Sequence, residues 1–239
     1  MQDVAGIVSS VRARAPNARV LVDAAQSIAH LPVDVERLGA DFVAFSGHKM
    51  LGPTGIGVLT GRREALDALS VELRGGGAVR LVDTNGYQLR PLPAKLEPGT
   101  PNIAGAIGLG AAAELLRGLD MARVEAHGQM LASRLCEGLR DLGCVQLLGP
   151  ADGARLPLAS LVIRSATLSA DHVAMMLSDT HHVMVRSGHH CCHPYFDALS
   201  RGGANVAGAL RASCGPYTTV ADVDAFIAAL RVILGALLR

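Results

Sequence analysis

Asp41-Phe42-Val43-Ala44-Phe45-Ser46-Gly47-His48-Lys49 is an apolar strand that runs straight into a polar, glycine-bearing turn. The turn continues through Gly52-Pro53-Thr54-Gly55-Ile56-Gly57. A lysine at the mouth of a buried strand, flanked by small and hydroxyl residues, stands where its amine can be desolvated and made nucleophilic. Upstream, Arg19-Val20-Leu21-Val22-Asp23 reads as a second apolar strand that ends in an acid. An acid at the carboxyl end of a buried strand points into the crevice where α/β sheets bind ligands. The plainer use of Asp23 is as a helix N-cap for the turn that begins at Ala24, and that use of aspartate is common.

Outward from these strands the pattern stays α/β. A helix over residues 3–15, a short helix near Val33–Leu38 and a strand at Gly55–Thr60 alternate with them, which suggests a sheet covered on both faces. Residues 75–101 carry Gly75-Gly76-Gly77, Asn85-Gly86 and several prolines, with no periodicity, and read as a long functional loop. Helices follow from about Asn102 to Leu119 and from about Met121 to Leu142. The character then changes. Val145–Leu148, Leu158–Arg164, Val183–Val185 and Ala209–Ser213 read as strands, and Ala170–Ser178 and Val220–Leu238 as helices. The expected division is a partial large domain over residues 1–119 and a small α+β domain over residues 120–239, hinged near residues 118–122.

With 239 residues, half of them apolar, the chain can bury a sizeable core in one or two domains. A formal net charge of +1 and only 3% aromatic residues argue against a nucleic-acid surface, which needs clustered cations and stacking rings. The first residues read as an amphipathic helix, not as a secretory leader. The apolar stretch Val220–Leu238 is interrupted by Asp222, Asp224 and Arg231, so it reads as a packed helix and not a membrane span. The five cysteines include the adjacent Cys191 and Cys192, an arrangement unlike a disulfide framework. A reducing cytoplasm is expected.

Three further stretches carry chemistry: Glu97-Pro98-Gly99-Thr100-Pro101-Asn102, Val185-Arg186-Ser187-Gly188-His189-His190-Cys191-Cys192-His193-Pro194, and Leu210-Arg211-Ala212-Ser213. In the second, imidazoles on either side of Cys191 would favour its reactive thiolate if protonated. His181, His182, His189, His190, Cys191, Cys192 and His193 are also a dense set of metal donors. They lack the two-residue gap that structural zinc pairs prefer, so no metal is expected. The guanidinium of Arg211 suits bidentate capture of a carboxylate, against the plain reading of a surface arginine on an edge strand.

Together, the Asp23-Ala24-Ala25-Gln26 and Ser46-Gly47-His48-Lys49 segments resemble the pyridoxal 5'-phosphate (PLP) site of the class V aminotransferase and cysteine desulfurase superfamily. The resemblance implies a fold type I PLP enzyme: the later part of a large α/β domain, then a small C-terminal α+β domain. It implies that Lys49 bonds covalently to PLP and that Asp23 pairs with the pyridine nitrogen, keeping the ring an electron sink. Gln26 would hydrogen-bond the phenolic oxygen, and Ser46 and His48 would hold the phosphate. Thr100 would reach across a homodimer to the neighbour's phosphate. Its plain reading is a turn before a helix.

The cysteine-bearing stretch resembles the loop of group II cysteine desulfurases and selenocysteine lyase-like enzymes, with Cys191 in the nucleophile's place. Arg211, and with it Arg186, would line the cavity for the substrate. The implied reaction converts L-cysteine to L-alanine, leaves a persulfide on Cys191, and passes the sulfur to a separate acceptor protein. Cys192 departs from the family pattern, as a second sulfur carrier, a resolving thiol or an inert residue. The chain matches only the later three-fifths of the family's fold. Half of a split enzyme with a complementary N-terminal half, a truncated reading frame, and a stand-alone domain that dimerises all remain open. So do another PLP reaction on a related amino acid and a non-catalytic partner subunit.

Overall fold

The computed structural model describes residues 2–150, 153–165, 168–201, 206 and 208–237. The chain divides into two compact units, Gln2–Met121 and Ala122–Arg239. In the first, helix α1 (Val4–Arg14) leads to strand β1 (Leu21–Asp23), helix α2 (Val35–Leu38) and strand β2 (Phe42–Ser46). A four-residue 3₁₀ turn, Gly47–Met50, separates β2 from β3 (Gly57–Gly61). The sheet order is β1-β2-β3, with β1 parallel and β3 antiparallel to β2. The glycine that closes β3 is required by close approach: a Cβ on Gly61 would fall 2.2 Å from the Asp41 carbonyl oxygen.

Asp41 is the only charged residue among the fully buried ones described. Its carboxylate accepts a bond from the Val20 N–H at 2.7 Å and pairs with Arg12 at 2.6 Å and Arg19 at 3.2 Å. One side chain thus joins α1, the start of β1 and the start of β2. Burial by itself would raise its pKa. The Val20 hydrogen bond and the two arginines outweigh that and hold the carboxyl below its ordinary value.

After helix α3 (Arg63–Asp67), the stretch expected to be structureless contains a hairpin, β4 (Val79–Asp83) and β5 (Gly86–Leu89). Asp83 turns it by accepting the N–H groups of Asn85 and Gly86 at 2.7 and 3.0 Å. The hairpin left no burial pattern in the sequence because its residues are almost all exposed, Leu81 and Val82 included. Helix α4 (Ile103–Leu119) follows. Asp120, with a positive φ of 64°, breaks it from helix α5 (Met121–Arg140).

The second unit is a four-stranded antiparallel sheet in the order β6-β7-β9-β8. Its strands are β6 (Val145–Leu147), β7 (Leu158–Ile163), β8 (Arg186–Gly188) and β9 (Ala209–Ser213), and its other helices are α6 (Ala170–His181), α7 (His193–Arg201) and α8 (Val220–Leu237). Leu131, Leu135 and Leu139 of α5 meet Leu161, Leu210, Leu230 and Ile233 in one apolar core. The spacing 131, 135, 139 is one helical face, which is why α5 forms and where it buries.

Two expectations fail here. The strand predicted at Val183–Val185 lies at Arg186–Gly188, because α6 runs on to His181 and is closed by a left-handed His182 and a bond from Val183 N–H to Leu177 C=O. Helices α3 and α7 were not anticipated. The short α7 hides its apolar face, as Phe196 is its one fully buried residue.

Candidate active site

β1 and β2 run parallel, with Asp23 paired to Ala44, so their carboxyl ends lie side by side. Asp23 therefore stands next to the end of the strand that feeds Ser46, His48 and Lys49. Ser46 is still extended, and its side chain makes no capping bond. Gly47 N–H bonds to Ile56 C=O and Gly52 N–H to Gly47 C=O, both at 2.9 Å, which folds the chain tightly after the strand. A Cβ on Gly47 would meet Ile56 Cγ2 at 2.9 Å and the carbonyl oxygens of Ile56 and Pro53 at 3.1 Å. His48 and Lys49 emerge from this turn exposed. Among the described residues Lys49 makes no ion pair, so its amine is open to a ligand.

Asp23 caps a turn and not the helix start of its plainer reading. Its Oδ1 accepts the Ala25 N–H at 2.9 Å, which starts the turn that carries the exposed Gln26. The other carboxylate oxygen remains for an outside partner. The acid, the amine, and the hydroxyl and imidazole at one strand end match the donors that PLP requires: a carboxylate for a pyridinium nitrogen, an amine for an aldehyde, and polar groups for a phosphate.

Thr100 is exposed and precedes Asn102. Asn102 was read only as a helix start and does more. Its Oδ1 caps α4 by accepting Gly105 N–H at 2.9 Å, and its Nδ2 donates to Gly55 C=O at 3.1 Å. Gly55 has φ +75°, a conformation glycine supplies without strain. The Thr100 segment is thereby fastened to the turn after Lys49, and on its other side Gly99 N–H bonds Gly76 C=O at 2.7 Å. No hydrogen bond among the described residues joins Thr100 itself to Ser46, His48 or Lys49.

The second unit brings Arg186, Arg211 and His190 together, with Cys191 next to His190 along the chain. Arg186 on β8 is the direct cross-strand partner of Arg211 on β9. Like charges directly opposite each other destabilise a sheet, so this pair suits an anion that bridges it. Arg211 is half-buried, and its Nε has no hydrogen-bond partner. His190 lies in the same field. Its Nε2 is 3.1 Å from the Ala209 carbonyl oxygen, which can only accept, so Nε2 carries the proton and the buried Nδ1 presents its lone pair. Burial, then the charges of Arg211 and Arg186, lower the His190 pKa and favour this neutral form.

Cys191 and Cys192 are exposed free thiols. Cys192 N–H closes a turn onto His189 C=O at 2.8 Å, and the two central residues, His190 and Cys191, have φ of +49° and +64°. Two consecutive positive φ values mark a type I′ turn, a strained choice for residues with side chains. The turn is held by its flanks: His189 stacks on His193 at 4.3 Å and meets Phe196 edge-on, and Phe196 packs with Val162 and Ala209. The remaining thiols are unlike this pair. Cys136 and Cys214 are buried and Cys144 is half-buried. Burial, helped by the charge of Asp222, pushes the Cys214 pKa up to about 11. Among the described residues no group of three or more His, Cys, Asp or Glu is placed to hold a metal, and no helix is long and apolar enough to cross a membrane.

The family model for aminotransferase class V matches residues 1–226. A probable cysteine desulfurase of Pasteurella multocida is 41% identical over 230 residues, covering 96% of this chain and 52% of the relative. Among solved structures, the cysteine desulfurase CsdA of Escherichia coli in its S-sulfonic acid form superposes with a TM-score of 0.86 at 36% identity, over 98% of this chain and 55% of that one. The apo structure of cysteine desulfurase from Thermococcus onnurineus NA1 gives 0.89 at 38% identity, over 98% and 56%. This chain spans about half the length of the curated relatives it matches.

Proposed function

From the premise that this chain belongs to the aminotransferase class V family, we propose that it carries the lysine-bearing and cysteine-bearing parts of a PLP-dependent cysteine desulfurase. Its substrate is L-cysteine, and its products are L-alanine and a persulfide on Cys191. Asp23 and Lys49 at adjacent carboxyl ends of parallel strands are the observation that carries this reading. The identity to named cysteine desulfurases supports the choice of reaction.

Bound there, PLP would supply an electron sink for the charge that develops at Cα of an amino acid. Lys49 would give the covalent attachment and carry the proton at Cα. Asp23 would keep the pyridine nitrogen protonated, Gln26 would hold the phenolic oxygen, and Ser46 and His48 would hold the phosphate. Arg211 grips the substrate carboxylate through two parallel hydrogen bonds, and Arg186 adds charge beside it. The Cys191 thiolate attacks the substrate sulfur. The carbon–sulfur bond breaks with its electron pair left on the carbon, which takes up a proton, while the sulfur stays on Cys191 and alanine leaves.

The assembly contains a second polypeptide surface, either another copy that receives Thr100 at its phosphate or a complementary N-terminal half. A sulfur-acceptor protein takes the persulfide onward. Residues 1–119 act as the partial PLP-binding domain and residues 120–239 as the small domain. Borohydride reduction in the presence of PLP, with every polypeptide of the assembly supplied, tests the reading. Peptide mapping finds the reduced adduct on Lys49, and an assembly that never yields it there overturns the proposal. Cys191→Ala, tested in the same assembly, abolishes alanine formation from cysteine. Retained turnover to alanine and free sulfide would remove Cys191 from its role.

A further inference from the structure

Cys192 lies outside the mechanism above, yet its position is fixed by its hydrogen bonds. Its N–H closes the turn onto His189 at 2.8 Å, and its C=O receives the Tyr195 N–H at 3.0 Å as the cap of α7. Its Sγ folds back over the same turn to the His190 carbonyl oxygen at 3.5 Å. That carbonyl belongs to the peptide leading into Cys191. The Cys192 thiol is therefore aimed back along the turn that presents Cys191 and not out along the helix. Both thiols are exposed, whereas the other three cysteines are buried or half-buried.

We propose that Cys192 is a resolving thiol that discharges sulfur from Cys191 when no acceptor arrives. The inference rests on the reading that Cys191 carries a persulfide. The Cys192 thiolate attacks Sγ of Cys191. The Sγ–Sγ bond forms, and the bond from Cys191 Sγ to the outer sulfur breaks. Hydrosulfide leaves with the electron pair and takes up the proton that Cys192 gave up. The outer sulfur is reduced to sulfide and the two cysteine sulfurs are oxidised to a disulfide, so the step balances without an external oxidant.

Geometry sets the character of the product. Successive Cα atoms stand about 3.8 Å apart across a trans peptide, below the roughly 4.4 Å at which unstrained disulfides begin. The bridge between neighbours is strained and easily reduced, which suits a labile state that a small thiol resets and not a structural crosslink. The turn at Cys191 already holds two unfavourable φ values, so its backbone is far from the extended form that would keep adjacent side chains on opposite sides.

The test loads sulfur without the cofactor, which separates this proposal from the desulfurase reading. The full chain, reduced and freed of thiol, is treated with inorganic tetrasulfide. Released sulfide is measured, and the peptide between Arg186 and Arg201, which holds only these two cysteines, is weighed. The expected wild-type product is that peptide lacking two hydrogens, formed as sulfide appears and reversed by glutathione. Cys192→Ser keeps a good helix cap and is expected to hold the extra sulfur on Cys191, with release slowed at least about tenfold. Cys192→Ala repeats the measurement without the hydroxyl. Wild-type peptide that keeps its added sulfur and never loses the two hydrogens overturns the proposal, as does equal release from the wild type and both variants. Failure of the Lys49 adduct would overturn the desulfurase reading and leave this result unaffected.

Discussion

The single residue on which most depends outside the site is Asp41. It is 1% exposed and binds the Val20 N–H, Arg12 and Arg19 at once. Asp41→Asn takes the counter-charge from two guanidinium groups that still reach solvent and is expected to destabilise the first unit by about 2 kcal/mol, the scale of a lost charge-assisted hydrogen bond. The sign of its pH dependence follows from the lowered pKa. The stabilisation is complete above the unfolded carboxylate value near about pH 4 and is lost as pH falls through the lower folded value. Urea midpoints measured from neutral to acid pH should decline in that window for the wild type and less so for the variant. In the second unit, Arg211→Lys tests the proposed carboxylate grip. A single ammonium replaces a planar fork, so KM for cysteine in the complete assembly should rise about tenfold or more while the reduced Lys49 adduct is unchanged. An unaltered KM would place the substrate carboxylate elsewhere.

At the scale of elements, the helix α4 is only as well placed as its first cap. Asn102→Ala removes both the bond to Gly105 and the bond to Gly55. Loss of such a cap is expected to cost about 1 kcal/mol, with more from the severed tie to the Gly55 turn. A lowered thermal midpoint, together with weaker PLP absorbance in the complete assembly, would show that the clamp serves both helix and site. A midpoint shift with undisturbed absorbance would confine it to the helix. Asn102 also marks what could be read beforehand. A polar residue ahead of a small, apolar helix announces an N-cap, so the helix start was legible. Its second partner, Gly55, is distant in sequence and left no trace. Strands β1, β2 and β3 were legible because apolar runs end in recognisable turn residues. The β4–β5 hairpin was not, because a hairpin with both faces wet has no alternation to display. Arg186 and Arg211 were each legible as arginines near a loop, but their facing each other across β8 and β9 needs the strand register. The β8 shift to Arg186 had its cause in the His182 cap, a left-handed histidine that propensity does not announce.

Across the whole molecule, burial is uneven. Both apolar core clusters among the described residues lie beyond residue 130, where α5, α6 and α8 cover the sheet. In the unit Gln2–Met121, Leu21 of β1 is 56% exposed and Leu59 of β3 is 46% exposed, and Ile103, Ile107 and Leu115 repeat at helical spacing along an exposed face of α4. Apolar faces of this kind are the ones partners or neighbouring segments cover. Stability should divide in the same way, since slow amide exchange requires buried, well-packed hydrogen bonds. In hydrogen exchange on the full chain, amides of α5, β7, β9 and α8 are expected to be the slowest, and those of β1, β2, β3 and α4 to exchange well before them. Urea should produce two transitions, the first belonging to residues 2–121. Adding a polypeptide that matches the first half of the relatives should slow exchange in β1, β3 and α4 and leave α5 and α8 unchanged. Uniform protection across both units, or no change in β1 and α4 on adding that polypeptide, would mean that these faces are already satisfied in the chain as it stands and await no cover.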